Sequence, residues 1–295
     1  MRAVRGHEAE RLRAARRRKG AQGVSSRQDR VGQSGGPKVS DPALRTATGE
    51  RFQALALGAP APAAATPVEG SWRDFVFAEV WSRPALDLRS RFLISLASAA
   101  CAGDLATCRD YARGALASEV TLAEAREAAL HIAVYGGWTA GTLLDRAITD
   151  AATALGLAPA DTAPIRAAAW DPAERLQTGA DSFREHMLFG GPQPTTAYFE
   201  GGILNFVFGE MWNRPGLDQR SRRWLTLVGV GFSGASTPIR SHVWSAMASG
   251  NATRAEMNEF VLQYAIHAGW PRGSVMQAAV LEQAARAEAQ LPFEA

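Results

Sequence analysis

The chain has 295 residues, 46% hydrophobic and 21% charged, with 28 Gly, 15 Pro and a net charge of +3. This composition excludes wholesale disorder, collagen and coiled coil. Two cysteines, Cys101 and Cys108, exclude a disulfide scaffold and a four-cysteine zinc site. The length fits one large domain or two of about 100–150 residues, each able to bury a core. No uncharged apolar run approaches the ~18–20 residues of a membrane span. The basic start is not followed by an apolar segment, so no secretion signal is expected and the expected location is cytoplasmic.

Residues 1–30 hold ten Lys/Arg and three acids, so the charge excess sits in this tail and the remainder of the chain is acidic. The tail has no aromatic residue to stack on bases, so residues 1–40 are read as a basic, flexible extension rather than a nucleic-acid arm. Beyond it the sequence repeats itself. Residues 75–91, FVFAEVWSRPALDLRSR, and 206–222, FVFGEMWNRPGLDQRSR, share twelve of seventeen positions at an offset of 131. Thr121-x-x-Glu124 answers Thr253-x-x-Glu256, and Gly137-Trp138 answers Gly269-Trp270, at an offset of 132. The expected organisation is repeat 1 over 41–150, an Ala/Pro-rich linker over 151–170 and repeat 2 over 171–295. A period this long reads as a duplicated domain whose halves are related by a pseudo-twofold axis.

Each repeat reads as helices in the same order. The apolar face of Phe75–Arg83 predicts a helix that stops before Pro84. Asp87 and Asp218 cap the next helix, and Gly103 and Gly234 break it. Thr237-Pro238 predicts the start of a third helix, with Pro at its first position. Thr121-x-x-Glu124 and Thr253-x-x-Glu256 are capping boxes for a fourth, which ends near Gly136-Gly137 and Gly269. A fifth helix follows in each half. No segment alternates with period two, so the expected fold class is all-α.

The pattern E-x-W-x-R-P-x-L-D-x-R-x-R, then R-x-H, then E-x-x-E with a terminal Y/H-x-G, resembles the carboxymuconolactone decarboxylase family. Members share the all-α alkylhydroperoxidase D-like fold. The resemblance implies a homo-oligomer in which two fused repeats give a trimer that mimics a hexamer of single repeats. It also implies a cofactor-free lyase that decarboxylates a small carboxylated lactone or β-keto-acid-like compound in aromatic catabolism or secondary metabolism. The alternatives are another cofactor-free rearrangement, lactone hydrolysis or isomerisation, and a non-catalytic binding or scaffold homologue. The thiol-peroxidase branch needs a C-x-x-C pair. Cys101 and Cys108 are seven apart, which on one helix is about 10 Å of rise, outside disulfide reach.

Decarboxylation needs a cation, a hydrogen-bond donor and a proton source in a dry pocket. Glu79 and Glu210 stand four residues before Arg83 and Arg214, so each pair shares a helix face. Both Glu are candidate acid–base groups, and an i,i+4 ion pair is the plain alternative. Arg83, Arg214, Arg89 and Arg220 are candidate carboxylate binders. Arg89 and Arg220 open helices, where the macrodipole does not favour a cation. His242 aligns with the family's R-x-H histidine, and Tyr111 takes its place in repeat 1. His131 and Tyr135 follow Glu127 along one helix face; repeat 2 has Gln263 and His267 there. The halves therefore look specialised, with either one composite site or one decayed site. His242, His131, Tyr135 and His267 complete the catalytic candidates, and Trp81 and Trp212 are candidate pocket walls. The five histidines form no H-x-x-x-H or H-x-H pair, so no metal is expected. The substrate expected is an organic acid or lactone, with no membrane and no nucleic-acid partner.

Overall fold

The computed structural model describes residues 41–166 and 169–294. The basic extension expected over residues 1–40 lies outside the described residues. Every described element is a helix, as the absence of period-two patterning predicts.

The first half opens with α1, Pro42–Leu57, capped by Asp41. Helix α2 is Pro67–Ser71 running directly into the π-helical turns Trp72–Trp81. Then come α3, Leu88–Ala102, α4, Leu105–Ser118, α5, Leu122–Tyr135, and α6, Trp138–Ala154. The second half repeats the order with α7, Pro172–Met187, and a π-helical α8, Tyr198–Phe208. Helices α9, Gln219–Ser233, α10, Ser236–Ala248, α11, Arg254–Ala268, and α12, Trp270–Glu288, complete it.

The caps follow the sequence logic. The Asp87 and Asp218 carboxylates accept from the Ser90 and Ser221 amides, and both Thr/Glu capping boxes close reciprocally. Gly103 and Gly234 end α3 and α9 in the left-handed region, with φ of 80° and 70°. Three local expectations are corrected. Helix α10 starts at Ser236, not at Thr237-Pro238; its first-turn amides have no intrahelical partner, so Pro238 fits there without loss. Helix α6 runs to Ala154, which shortens the linker. The helix expected over Phe75–Arg83 is wound as wider π-helical turns and ends at Trp81.

Helices α3 and α9 lie against each other, and each carries the capping-box helix of the other half: α11 packs on α3 and α5 packs on α9. This exchange buries Phe92, Leu93, Leu96, Trp224, Leu225, Val228, Ile132 and Phe260 in one core. Gly229 makes the α5–α9 approach possible. A Cβ added there would stand 2.5 Å from the Tyr135 Cβ.

Four of the arginines proposed as carboxylate binders stitch this exchange together. Arg214 meets the Glu127 carboxylate at 2.6 and 3.0 Å, and Arg83 meets Glu259 at 2.7–2.9 Å. Arg220 reaches Asp87 and Glu256, while Arg89 reaches Glu124 and Asp218. Beneath them Arg91 and Arg222 donate to the Arg83 and Arg214 carbonyls. The i,i+4 pairs Glu79–Arg83 and Glu210–Arg214 do not form. Once α5 and α11 change halves, each Arg finds a buried carboxylate far along the chain instead. All four side chains are engaged in ion pairs.

Candidate active site

The second half holds a pocket of about 570 Å³ whose lining draws on both halves. Its wall is apolar and largely aromatic: Phe183, Phe189, Phe199, Phe208 and Phe293, with Met187 and Val230. The polar groups reaching it are few, chiefly Tyr135 from α5 and His242 from α10. Tyr135 ends its helix just before Gly136, and the close α5–α9 contact at Gly229 aims it across the boundary between the halves. His242 lies on the inner face of α10, 8% exposed, its ring edge-on to Tyr135 at 5.4 Å between centroids.

Behind these two lies a connected cluster. The Trp212 indole N–H donates to the Tyr135 oxygen at 2.8 Å, which leaves the phenol proton available. His131 stands one turn before Tyr135, and its Nε2 lies 2.8 Å from the Thr226 hydroxyl of α9. His186 stacks on Trp212 at 5.0 Å. The Arg223 guanidinium lies 4.8 Å from the Trp212 ring centre, 1% exposed. It donates to the His186 carbonyl, and its Nη1 lies 3.9 Å from the Met187 sulfur. Among the described residues no carboxylate pairs with Arg223, in contrast to the arginines of the ion-pair network. Three buried nitrogens here also lack a hydrogen-bond partner: Nδ1 of His242, Nδ1 of His131 and Nε of Arg223.

Burial sets the protonation states. It pushes the His242 imidazole down to about 3, with the Arg223 charge adding to the effect. It holds His131 well below its ordinary value, helped by the nearby charges of Arg222, His242 and Arg223. His186 is lowered for the same first reason. The Tyr135 phenol rises to about 12, again through burial. Arg223 falls to about 10 and remains a cation at neutral pH. The site thus combines neutral imidazoles, a protonated phenol and one buried positive charge.

The equivalent place in the first half is filled. Tyr111, at the position of His242, stacks on Trp81 at 5.7 Å with the rings nearly parallel. Phe92 takes the place of Arg223 and packs edge-on against Trp81. Gln263 replaces His131; it donates to Ser95 at 2.9 Å and accepts from Arg91 at 2.8 Å. His267 replaces Tyr135, lies edge-on to Tyr111 and is pushed down to about 4 by burial.

The structure therefore divides the sequence-predicted residues. His242 and Tyr135 line the pocket, and His131 and Trp212 lie behind them against Tyr135. His267 and Trp81 belong to the filled counterpart. Glu79 is 49% exposed and lies 3.8 Å from Arg45. Glu210 is buried but turned away; it accepts from the Arg166 amide at 2.6 Å and from Arg175 at 2.7 Å. Trp138 and Trp270 stand away from the site, 61% and 57% exposed. Sequence reasoning missed Arg223, Thr226 and His186. Arg223 had a readable signal: R-S-R-F in the first repeat becomes R-S-R-R in the second. The two thiols are free, Cys108 buried and Cys101 partly so, and desolvation pushes both up to about 12, away from the thiolate state that redox catalysis uses.

The halves exchange helices around a pocket lined by His242 and Tyr135. This chain matches the sequence model of the carboxymuconolactone decarboxylase family over residues 67–150. It is 32% identical over 73 residues to the 4-carboxymuconolactone decarboxylase of Acinetobacter baylyi, covering 25% of this chain and 54% of that protein. It is 29% identical over 106 residues to an uncharacterised 15.0 kDa protein of Paracoccus denitrificans, covering 33% of this chain and 78% of the relative. The chain thus spans about half the length of the named decarboxylase it matches. Among the described residues no helix is long and apolar enough to cross a membrane.

Proposed function

We propose that this chain is a cofactor-independent carbon–carbon lyase that decarboxylates an organic acid in the pocket between α5, α7, α8 and α10. The observation that carries this reading is the convergence of His242 and Tyr135, one from each half, over an Arg223 cation that has no carboxylate partner among the described residues. The family match supplies the decarboxylase-like class, and the matched Acinetobacter protein is named for that reaction.

The chemistry follows from the groups present. Cleavage of the bond to the carboxylate releases CO₂ and leaves its electron pair on the substrate as an enolate-like anion. The apolar walls exclude water, which strengthens every electrostatic contact inside. Arg223 offsets the developing negative charge from behind the pocket floor, and the Tyr135 hydroxyl donates to the developing oxyanion. A proton then returns to carbon. His242 is neutral across the physiological range and serves as a base and hydrogen-bond partner rather than as an imidazolium acid. Tyr135 is the proton donor, and the adjoining His131–Thr226 pair orients its surroundings. The acid–base role expected of Glu210 passes to this pair, because Glu210 is engaged with Arg175 and the Arg166 amide.

We further infer that the two repeats form one functional unit with a single open pocket. The reciprocal ion pairs and the filled counterpart around Tyr111 support that reading. The test is CO₂ release from candidate β-keto and lactone acids by wild type, His242→Ala and Tyr135→Phe. Loss of about 10²–10⁴-fold in either variant is expected of an acid–base group. Equal rates would remove both residues from the reaction, and a product that keeps its mass would point to rearrangement or isomerisation.

A further inference from the structure

Two features of the pocket bear on what it holds, and this step rests on the reading of the pocket given above. The first is its wall. Five phenylalanines line it together with Tyr135 and Tyr198, and neither a carboxylate nor a Lys or Arg is among the lining residues. Its size, about 570 Å³, falls in the range of roughly 300–1,000 Å³ typical of ligand sites. The second is the charge beneath it. Arg223 is the cation set against Tyr135, Trp212 and Met187, and its charge acts on both His242 and His131. The other buried arginines nearby are committed: Arg214 to Glu127, Arg222 to the Arg214 carbonyl and the same carboxylate. One positive charge matches one negative charge. A second carboxylate in the same molecule would face phenylalanine rings and lose its hydration without compensation.

We infer that the pocket selects a ring-bearing, largely apolar molecule with a single anionic group, rather than a small dicarboxylated lactone. The rings lie among Phe183, Phe189, Phe208 and Phe293. The single anionic group lies at the His242 and Tyr135 end, beside the unpartnered Nδ1 of His242 and with Arg223 behind the pocket. Phe92 at the equivalent place in the first half marks Arg223 as a specificity device of this pocket and not a requirement of the fold.

Ligand binding separates this inference from the reaction itself. The probes are 2-naphthoate, its neutral carboxamide and the small dicarboxylate maleate, followed by calorimetry and by the fluorescence of Trp212, which lies against Tyr135 behind the pocket. 2-Naphthoate is expected to bind more tightly than maleate by at least about tenfold. Arg223→Met should weaken 2-naphthoate by about 10–100-fold, through loss of the one buried charge that acts on the anion, and should leave the carboxamide within about threefold. Arg223→Lys keeps the charge and should restore most of the lost affinity; it also stands in if the Met variant does not fold. Preference for maleate, equal loss of acid and amide in a folded Arg223→Met, or binding of no probe overturns the inference. A chain that releases CO₂ from a dicarboxylated lactone yet ignores 2-naphthoate keeps the proposed reaction and loses this substrate class. A chain that binds 2-naphthoate through Arg223 but decarboxylates no acid does the reverse.

Discussion

Replacing Glu127 by alanine removes a carboxylate that two arginines of the other half share. Glu127 holds Arg214 through two bonds of 2.6 and 3.0 Å, and Arg222 lies 4.0 Å away. All three side chains are buried, so the variant leaves two guanidinium groups out of water with their shared counter-charge gone. Breaking a buried pair in this way costs about 3–5 kcal/mol. For a chain of this size that is a fall of about 6–20 °C in the midpoint of thermal unfolding. The surface pair Arg254–Glu288 supplies the internal control. Its bonds are as short, at 2.6–2.7 Å, but its side chains are 41% and 53% exposed. Glu288→Ala should cost less than about 1 kcal/mol. Thermal and urea unfolding followed by circular dichroism measure both. The double variant Glu127→Leu, Arg214→Met should recover much of the loss, since it removes one buried charge together with its missing partner. If Glu127→Ala is no worse than Glu288→Ala, the exchanged ion pairs do not hold the halves together and the energetic reasoning fails.

Acid should weaken the fold through the buried histidines. The folded values of His242, His267, His131 and His186 lie below that of an unfolded histidine, so the unfolded chain binds more protons as pH falls. Stability is therefore complete above about pH 6.5. It declines below that at about 1.4 kcal/mol per pH unit for each histidine still neutral, and a flat stability profile between pH 6.5 and 4.5 contradicts this burial. Gly229→Ala should push α5 away from α9, destabilise by about 1–3 kcal/mol and lower activity together with stability; an unchanged midpoint would refute the close approach. Trp212→Phe keeps an aromatic ring but loses the bond to Tyr135, so turnover should fall while loss of that bond costs only about 0.5–1.5 kcal/mol of stability. The Trp138–Phe206 and Trp270–Phe75 pairs, both indoles exposed, occupy matching places in the halves and suit the trimer contact that the family resemblance implies. Light scattering should give a trimer that the double variant Trp138→Ser, Trp270→Ser dissociates, and a monomeric wild type refutes it.

Much of the helical order could be read from the sequence because its signals are local. An Asp or Thr side chain caps the amide three residues on, and a glycine ends a helix in the left-handed region. The duplication let each such reading be checked twice. The partners of the charged residues could not be read in the same way. Spacing of four predicts Glu79–Arg83 and Glu210–Arg214, whereas the observed pairs join residues 87 and 176 apart, brought together only when helices change halves. The site shows the same division. His242, His131 and Tyr135 were visible as chemistry, but which of them share a pocket depends on the α5–α9 contact. Arg223 was hidden because it reads as one more arginine in a basic helix start; only its mismatch with Phe92 sets it apart.

The crossed salt bridges have a consequence for how such a chain diversifies. Arg214 meets Glu127 and Arg83 meets Glu259 across the halves, so a half alone would need a second copy to supply those acids. Covalent tethering makes that encounter intramolecular, at an effective concentration that a free pair would rarely reach. Once the partner is guaranteed, identical surfaces are no longer required of both. One hollow is free to close around a tyrosine and serve as ballast, while the other is free to change its chemistry one residue at a time.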